Sequence, residues 1–243
     1  MARTIVITGT ASGFGKLSVE RFAAEGWNVV ATVRKESDLA VHGDLPGVRT
    51  LLLNVDDEQA DLAFADLSAQ QFGRVDALVN NAGYFQAGPL EATTMDQVHR
   101  QFQTNVFGLI ALNKAFIPRF REQGSGVIIN IGSIQAGKAL PGRTHYAPAK
   151  LAIEALTRNV SAEMGALGIR VNCIHPGLIE TPMVDWVLKH PDPSVLPGVL
   201  AQISLGRTGQ PREIGTVAAF FASEEARYVT GQSIYVDGGW VGK

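Results

Sequence analysis

Ser133, Tyr146 and Lys150 are side chains that could exchange protons and hydrogen bonds with a small ligand. Tyr146 and Lys150 stand four apart in the stretch HYAPAK (145–150), the spacing that puts two side chains on one helix face. Pro148 lies between them, and a proline without an N–H normally breaks a helix interior. A helix that starts near Thr144 resolves the conflict, because Pro148 then falls in the first turn, where backbone N–H groups have no intrahelical partner. Thr144 is the expected N-cap, and LAIEALTRNVSAEM continues with helical periodicity, although a proline disfavours the α region for Ala147. The phenol and the ammonium then face the same small space. Ser133 follows the apolar run GVIINI (126–131), at the end of a strand that faces the ligand crevice in an open α/β sheet.

These residues need a scaffold, and the rest of the chain supplies its pattern. Short, nearly continuous apolar runs predict strands at 4–8, 28–33, 50–55, 76–80, 126–131, 169–174 and 233–237. Helical stretches are expected around 14–25, 58–72, 94–121, 145–166 and 211–222. Alternating β and α units with right-handed crossovers predict a doubly wound, Rossmann-type α/β fold: a single, mostly parallel seven-stranded sheet with helices on both faces. The crossover between the second and third strands has room for only a short helix. Residues 182–210 hold four prolines among mixed apolar and polar residues, which suggests a substrate-binding loop or lid. With no repeat, low-complexity linker or charge block, residues 1–243 read as one domain.

The first strand runs into TGTASGFG (8–15) and then into a helical pattern. Gly9 allows a tight turn, Gly13 lets the backbone approach a pyrophosphate, and Gly15 lets helix and strand pack closely. The spacing departs from the plain G-x-G-x-x-G template, since Ala11 occupies its second glycine position. The helix N-terminus that follows offers free N–H groups and the positive end of a dipole to phosphates, with Ser12 and Phe14 in the same turn. At the end of the second strand stand Arg34 and Lys35, where a carboxylate would bind a ribose 2′-hydroxyl. Two cations suit a 2′-phosphate, so NADP(H) is favoured over NAD(H); the other reading has solvated loop cations with Glu36 on a hydroxyl.

Composition narrows the classes. Of 243 residues 46% are hydrophobic and the formal net charge is −2, which fits a large core and argues against a nucleic-acid partner or an anionic membrane surface. The single cysteine, Cys173, excludes an internal disulfide and a cysteine-rich metal site, and no metal is expected. No apolar run approaches a membrane span or a secretory core, so a cytoplasmic protein is expected.

The chain resembles the short-chain dehydrogenase/reductase family over essentially its whole length. The resemblance is carried by TGTASGFG, NNAG (80–83), Asn105 in NVFG, Ser133, YAPAK (146–150), PGLIET (176–181) and YVTGQSIYVDGG (228–239), in order. It implies interconversion of a ketone and its secondary alcohol by hydride transfer, with Tyr146 as general acid or base. Lys150 and the oxidised nicotinamide would lower the phenol below its usual pKa of about 10, and Lys150 would hold the ribose hydroxyls. Ser133 would orient the substrate oxygen, and Asn105 would support a water linking Lys150 to solvent. The resemblance also places Asn81, Ala82 and Gly83 against the cofactor, Asn54 and Val55 near the adenine, and Pro176, Gly177, Ile179 and Thr181 around the nicotinamide and diphosphate. Asn54 departs from the family's usual aspartate. A homodimer or homotetramer built from the long helices and the last strand is likewise implied.

The substrate wall is expected from Phe85, Gln135, Leu140, His145, Leu178, Trp186 and Leu188, a mainly apolar set suited to a small hydrophobic carbonyl or alcohol. His145 is either a second acid or an ordinary polar residue at a helix start. The last third of the chain also resembles 3-oxoacyl-[acyl-carrier-protein] reductases, which need cations beside the site mouth; only Arg119, Arg121 and Arg170 are near the relevant loops. A non-catalytic dinucleotide sensor or a dehalogenase-like lyase on this fold would lack the tyrosine or the lysine, and both are present.

Overall fold

A computed structural model describes residues 2–242, with the backbone alone at 58–62. Seven strands form one sheet: β1 (Thr4–Ile7), β2 (Asn28–Val33), β3 (Val48–Leu52), β4 (Ala77–Asn80), β5 (Gly126–Ile131), β6 (Ile169–Pro176) and β7 (Ser233–Val236). Their order is β3-β2-β1-β4-β5-β6-β7, and every pairing is parallel. The winding reverses between β1 and β4, which opens a crevice at their C-terminal ends.

Helices connect the strands: α1 (Gly13–Ala24), α2 (Glu58–Phe72), α3 (Met95–Phe102), α4 (Gly108–Gln123), α5 (Tyr146–Met164), α6 (Asp185–Leu188), α7 (Val195–Leu200) and α8 (Pro211–Ala222). Alternation along each strand splits the core into two layers. Ile5, Ile7, Val29 and Ala31 pack with Val19 and Phe22 of α1 and Ile214 and Phe221 of α8. Val6, Val30 and Leu78 face the other way, onto Phe64 of α2 and Leu112, Phe116 and Phe120 of α4. Both sheet faces are therefore dry, as the continuous apolar runs require.

Three expectations shift. The stretch 94–121 is two helices joined by a π-helical turn, Gln103–Phe107, and the second extends to Gln123. The third strand lies at Val48–Leu52, earlier than 50–55: β3 is an edge that pairs only with β2, from Val29↔Val48 to Val33↔Leu52, and pairing ends where β2 ends. Thr144 does not cap α5. The position before the helix is His145, without a side-chain cap, and the Ala147 N–H donates to the Arg143 carbonyl. The helix is thus entered through a backbone turn that starts one residue earlier.

Within 182–210 lie a 3₁₀ turn (Pro182–Val184) and the short helices α6 and α7. Val187 and Ile203 from this segment bury themselves with Ile134, Leu178 and Trp240, a separate apolar cluster above the sheet's C-terminal edge. Among the described residues no helix is long and apolar enough to cross a membrane.

Candidate active site and nucleotide groove

α5 starts with Tyr146, so its first turn sets the reactive geometry. Pro148 is the third helical residue and exposed, where no intrahelical donor is lost, and Tyr146 and Lys150 come to the same side. A buried polar ladder seats α5 on the sheet: Asn80 Nδ2 donates to Asn113 Oδ1 (2.8 Å) and Asn130 Oδ1 (2.9 Å), and Asn130 Nδ2 donates to Thr157 Oγ1 (3.0 Å). Buried amides linked in this way favour one relative placement of β4, α4, β5 and α5, although Asn80 Oδ1 is left without a partner.

Lys150 is buried, and its Nζ donates to the Ile131 carbonyl (2.9 Å) while lying 5.8 Å from the Tyr146 ring centroid. Burial lowers its pKa to about 8, with the charge interaction with Cys173 acting upward. Tyr146 is also buried, and burial raises its phenol to about 12; Ser133 and Arg143 pull in the other direction. The expected lowering below 10 is therefore absent from the protein alone. Burial outweighs the Ser133 hydrogen bond and the Arg143 charge, both of which favour the phenolate.

Ser133 sits just beyond β5 in extended conformation, and its Oγ accepts from Gln135 N (3.2 Å). Its backbone N–H donates to Nδ1 of the fully buried His175 (3.0 Å). Nε2 of His175 lies 3.4 Å from a Glu154 carboxylate oxygen, and Tyr235 stacks on the imidazole at 4.8 Å. Burial lowers the pKa of His175, which keeps the ring neutral. Space for the imidazole exists only because residue 132 is glycine; a Cβ there would stand 2.4 Å from Nδ1. Neither His175 nor Glu154 was expected from sequence, since a histidine in an apolar strand carries no spacing signal.

Asn105 lies in the π-helical turn, a feature that recurs at functional sites. Its Oδ1 accepts from Tyr84 N (3.1 Å) and its Nδ2 donates to Tyr84 O (3.0 Å), so the side chain pins the loop after β4. Gln101 holds the same loop through Tyr84 O (2.8 Å) and Gln86 N (3.2 Å).

Two concavities meet here. One, of about 470 Å³, has Ser133 and Tyr146 on its wall together with Phe85, Gln135, Leu140, Leu178 and Trp186. His145 and Leu188 are not on that wall. His145 is buried with both ring nitrogens unpartnered, and Val187 takes the place expected of Leu188, because on α6 the neighbouring residue faces inward. Arg143, Met183, Val199, Gln202 and Trp240 also line it and were not foreseen. Trp240 is brought in by the final turn, in which Asp237 accepts from the N–H groups of Gly239 and Val241.

The second concavity, about 330 Å³, is lined by Gly9, Ser12, Gly13, Phe14, Gly15, Arg34, Lys35, Asn54, Val55, Asn81, Ala82, Gly83 and Thr181. Phe14, Thr181 and Met183 border both spaces, whereas Pro176, Gly177 and Ile179 line the first alone. The glycine turn has the shape of a phosphate cradle. Gly9 has φ +67°, and a Cβ on it would lie 2.9 Å from Ala82 Cα; one on Gly15 would lie 2.6 Å from the Gly9 carbonyl oxygen. Backbone N–H groups at the start of α1 open into this groove, which fits the diphosphate of a dinucleotide. Arg34 and Lys35 are exposed at its far end, beside Asp38.

A twisted parallel sheet with this crevice, glycine turn and buried Ser–Tyr–Lys set defines a dinucleotide-dependent oxidoreductase class. The model of a family described as enoyl-(acyl carrier protein) reductase matches residues 9–241. The 2-(R)-hydroxypropyl-CoM dehydrogenase of Xanthobacter autotrophicus is 34% identical, covering 99% of each chain. A 3-oxoacyl-[acyl-carrier-protein] reductase of Thermotoga maritima is 36% identical, covering 98% of each. The crystal structure of levodione reductase superposes with a TM-score of 0.92 at 31% identity, covering 99% of this chain and 98% of the other. The chain belongs to the short-chain dehydrogenase/reductase family, whose enzymes use NAD(P).

Proposed function

We propose that the chain is an NADP(H)-preferring reductase of small, largely hydrophobic ketones, working reversibly as a secondary-alcohol dehydrogenase. The observation that carries this reading is the junction of the two spaces: Tyr146 and Ser133 face an apolar cavity that opens onto the glycine-cradled groove. When bound, the nicotinamide supplies or accepts a hydride at the carbonyl carbon. Ser133 Oγ donates a hydrogen bond to the carbonyl oxygen and holds it beside Tyr146. Tyr146, protonated at neutral pH, gives its proton to that oxygen, and in the reverse direction the phenolate removes it. Lys150, anchored on the Ile131 carbonyl, keeps an ammonium near the phenol and the ribose hydroxyls within reach. Asn105 acts chiefly by fixing the Tyr84 loop.

Arg34 and Lys35 support the phosphorylated cofactor, since each is exposed on the groove and free to meet a 2′-phosphate. The segment 182–210 acts as the substrate lid through Met183, Val184 and Val187. A dimer or tetramer forms through the apolar residues left exposed around α4 and α5 and near β7.

The relatives named as 3-oxoacyl-[acyl-carrier-protein] reductases suggest a second reading, which the cations do not favour. Arg119 is paired with Asp66, and Arg170 donates to the Phe221, Ser223 and Val229 carbonyls near the end of α8. With Arg121 they stand where α4 ends and β6 begins, at the sheet edge opposite Ser133. The primary test follows absorbance at 340 nm with NADPH and NADH over a ketone panel. Turnover with NADPH supports the reading, and no oxidation of either cofactor refutes it.

A further inference from the structure

Arg143 is the only charged residue on the wall of the 470 Å³ cavity among the described residues, and the fold gives its guanidinium almost nothing to bind. The residue is 9% exposed. Nη1 donates to the carbonyl of its own neighbour, Gly142 (3.2 Å), and Nε is buried without a partner. No carboxylate pairs with it among the described residues. Instead its planar end lies 4.4 Å from the Phe85 ring centroid and 5.1 Å from that of Trp186, two rings stacked on each other at 6.4 Å.

Aromatic faces offset part of the cost of burying a cation, but they satisfy none of its in-plane N–H donors. A buried charge without a hydrogen-bonded counter-ion is an expensive element in a cavity whose other walls are apolar. An arginine on the cavity wall beside two rings, with no carboxylate on its fork, has the donor set that grips a pair of oxyanion oxygens.

We propose that Arg143 recognises an oxyanion carried by the substrate, a carboxylate or a sulfonate, so that the preferred carbonyl compounds are anionic. This rests on the reductase reading for the reacting end of the molecule. Phe85 touches both Arg143 and, edge-on at 5.0 Å, Tyr146, so the anion and the carbonyl lie on two sides of one ring. A short apolar linker along Leu140 and Leu178 joins them. Arg143 also acts on the Tyr146 phenol from this position, and an oxyanion that neutralises it weakens that pull.

The test is calorimetric titration of the full chain, with and without NADP⁺, by 4-oxopentanoate, 5-oxohexanoate and their uncharged amides, repeated with Arg143→Gln and Arg143→Lys. The expected result is an acid-to-amide preference of tenfold or more in the natural chain, at least tenfold loss of that preference in Arg143→Gln, and partial recovery in Arg143→Lys. In turnover of the acids, KM moves more than kcat. An unchanged preference in Arg143→Gln overturns the proposal, as does equal binding of acid and amide by the natural chain or no saturable binding of either acid. If Arg143→Gln does not fold, by circular dichroism, the natural chain and Arg143→Lys decide the question. Discriminating anion binding without turnover of any ketone refutes the reductase reading and leaves the anion site standing; turnover of neutral ketones without acid preference does the reverse.

Discussion

Burial holds the Tyr146 phenol up at about 12, so at pH 7 the residue carries its proton, as the proposed ketone reduction requires. Alcohol oxidation needs the phenolate, whose fraction grows as pH rises towards the pKa. Initial rates of oxidation should therefore climb with pH, by up to about tenfold per unit between pH 7 and 9, while reduction stays nearly level around neutrality. An oxidation rate that falls over this range would contradict the assignment. Bound nicotinamide adds positive charge and moves the limb to lower pH without changing its sign. In the proposed reading, cofactor choice belongs to two other side chains. Replacing Arg34 and Lys35 by Ala should raise the KM for NADPH about 10–100-fold, the scale of a lost charged hydrogen bond, with little effect on NADH. Equal changes for both cofactors would shift attention to Asp38, which borders the same end of the groove.

Elements, rather than single residues, decide how these groups meet. Pro148 stands in the first turn of α5 and interrupts no hydrogen bond, so Pro148→Ala should leave kcat within about twofold and change stability by less than about 1 kcal/mol. A large loss of turnover with the melting temperature unchanged would mean that the proline itself aligns Tyr146 with Lys150. The α5 start, the glycine turn and five of the seven strands to within one residue at each end were legible, because apolar runs and turn chemistry are local signals. The break at Gln103–Phe107 was not, since its sequence, QTNVF, continues the helical periodicity and the π turn is set by packing against the Tyr84 loop. Neither was the Asn80–Asn113–Asn130–Thr157 ladder: its members are far apart in sequence, and each alone reads as an isolated polar residue. Arg143 was missed for a related reason. Its neighbours Phe85 and Trp186 come from the loop after β4 and from α6, which only the folded sheet brings together.

At the scale of the whole molecule, the reversal of strand order between β1 and β4 puts the glycine turn, Ser133 and Tyr146 at one edge of the sheet. The opposite sheet faces are covered, yet large apolar side chains stay exposed: Phe107 and Leu151 beside α4 and α5, and Phe220, Tyr228 and Ile234 around the unpaired edge of β7. Clusters of this kind beside an open strand edge suit a symmetric interface between copies of the chain. Light scattering should give two or four times the 26.0 kDa chain mass, and Leu151→Asp should shift the distribution to smaller particles. A 26.0 kDa particle for the natural chain would rule the assembly out. The central claim concerns where hydride and proton go, and isotope transfer tests it most directly. NADPH deuterated at the transferring C4 position is incubated with a ketone that the chain turns over, and the alcohol is analysed by mass spectrometry. One deuterium should appear on the carbinol carbon, and Tyr146→Phe should slow its appearance by about 10²–10⁴-fold while still binding NADPH. Alcohol formed without the label, or formed at full rate by Tyr146→Phe, would contradict it.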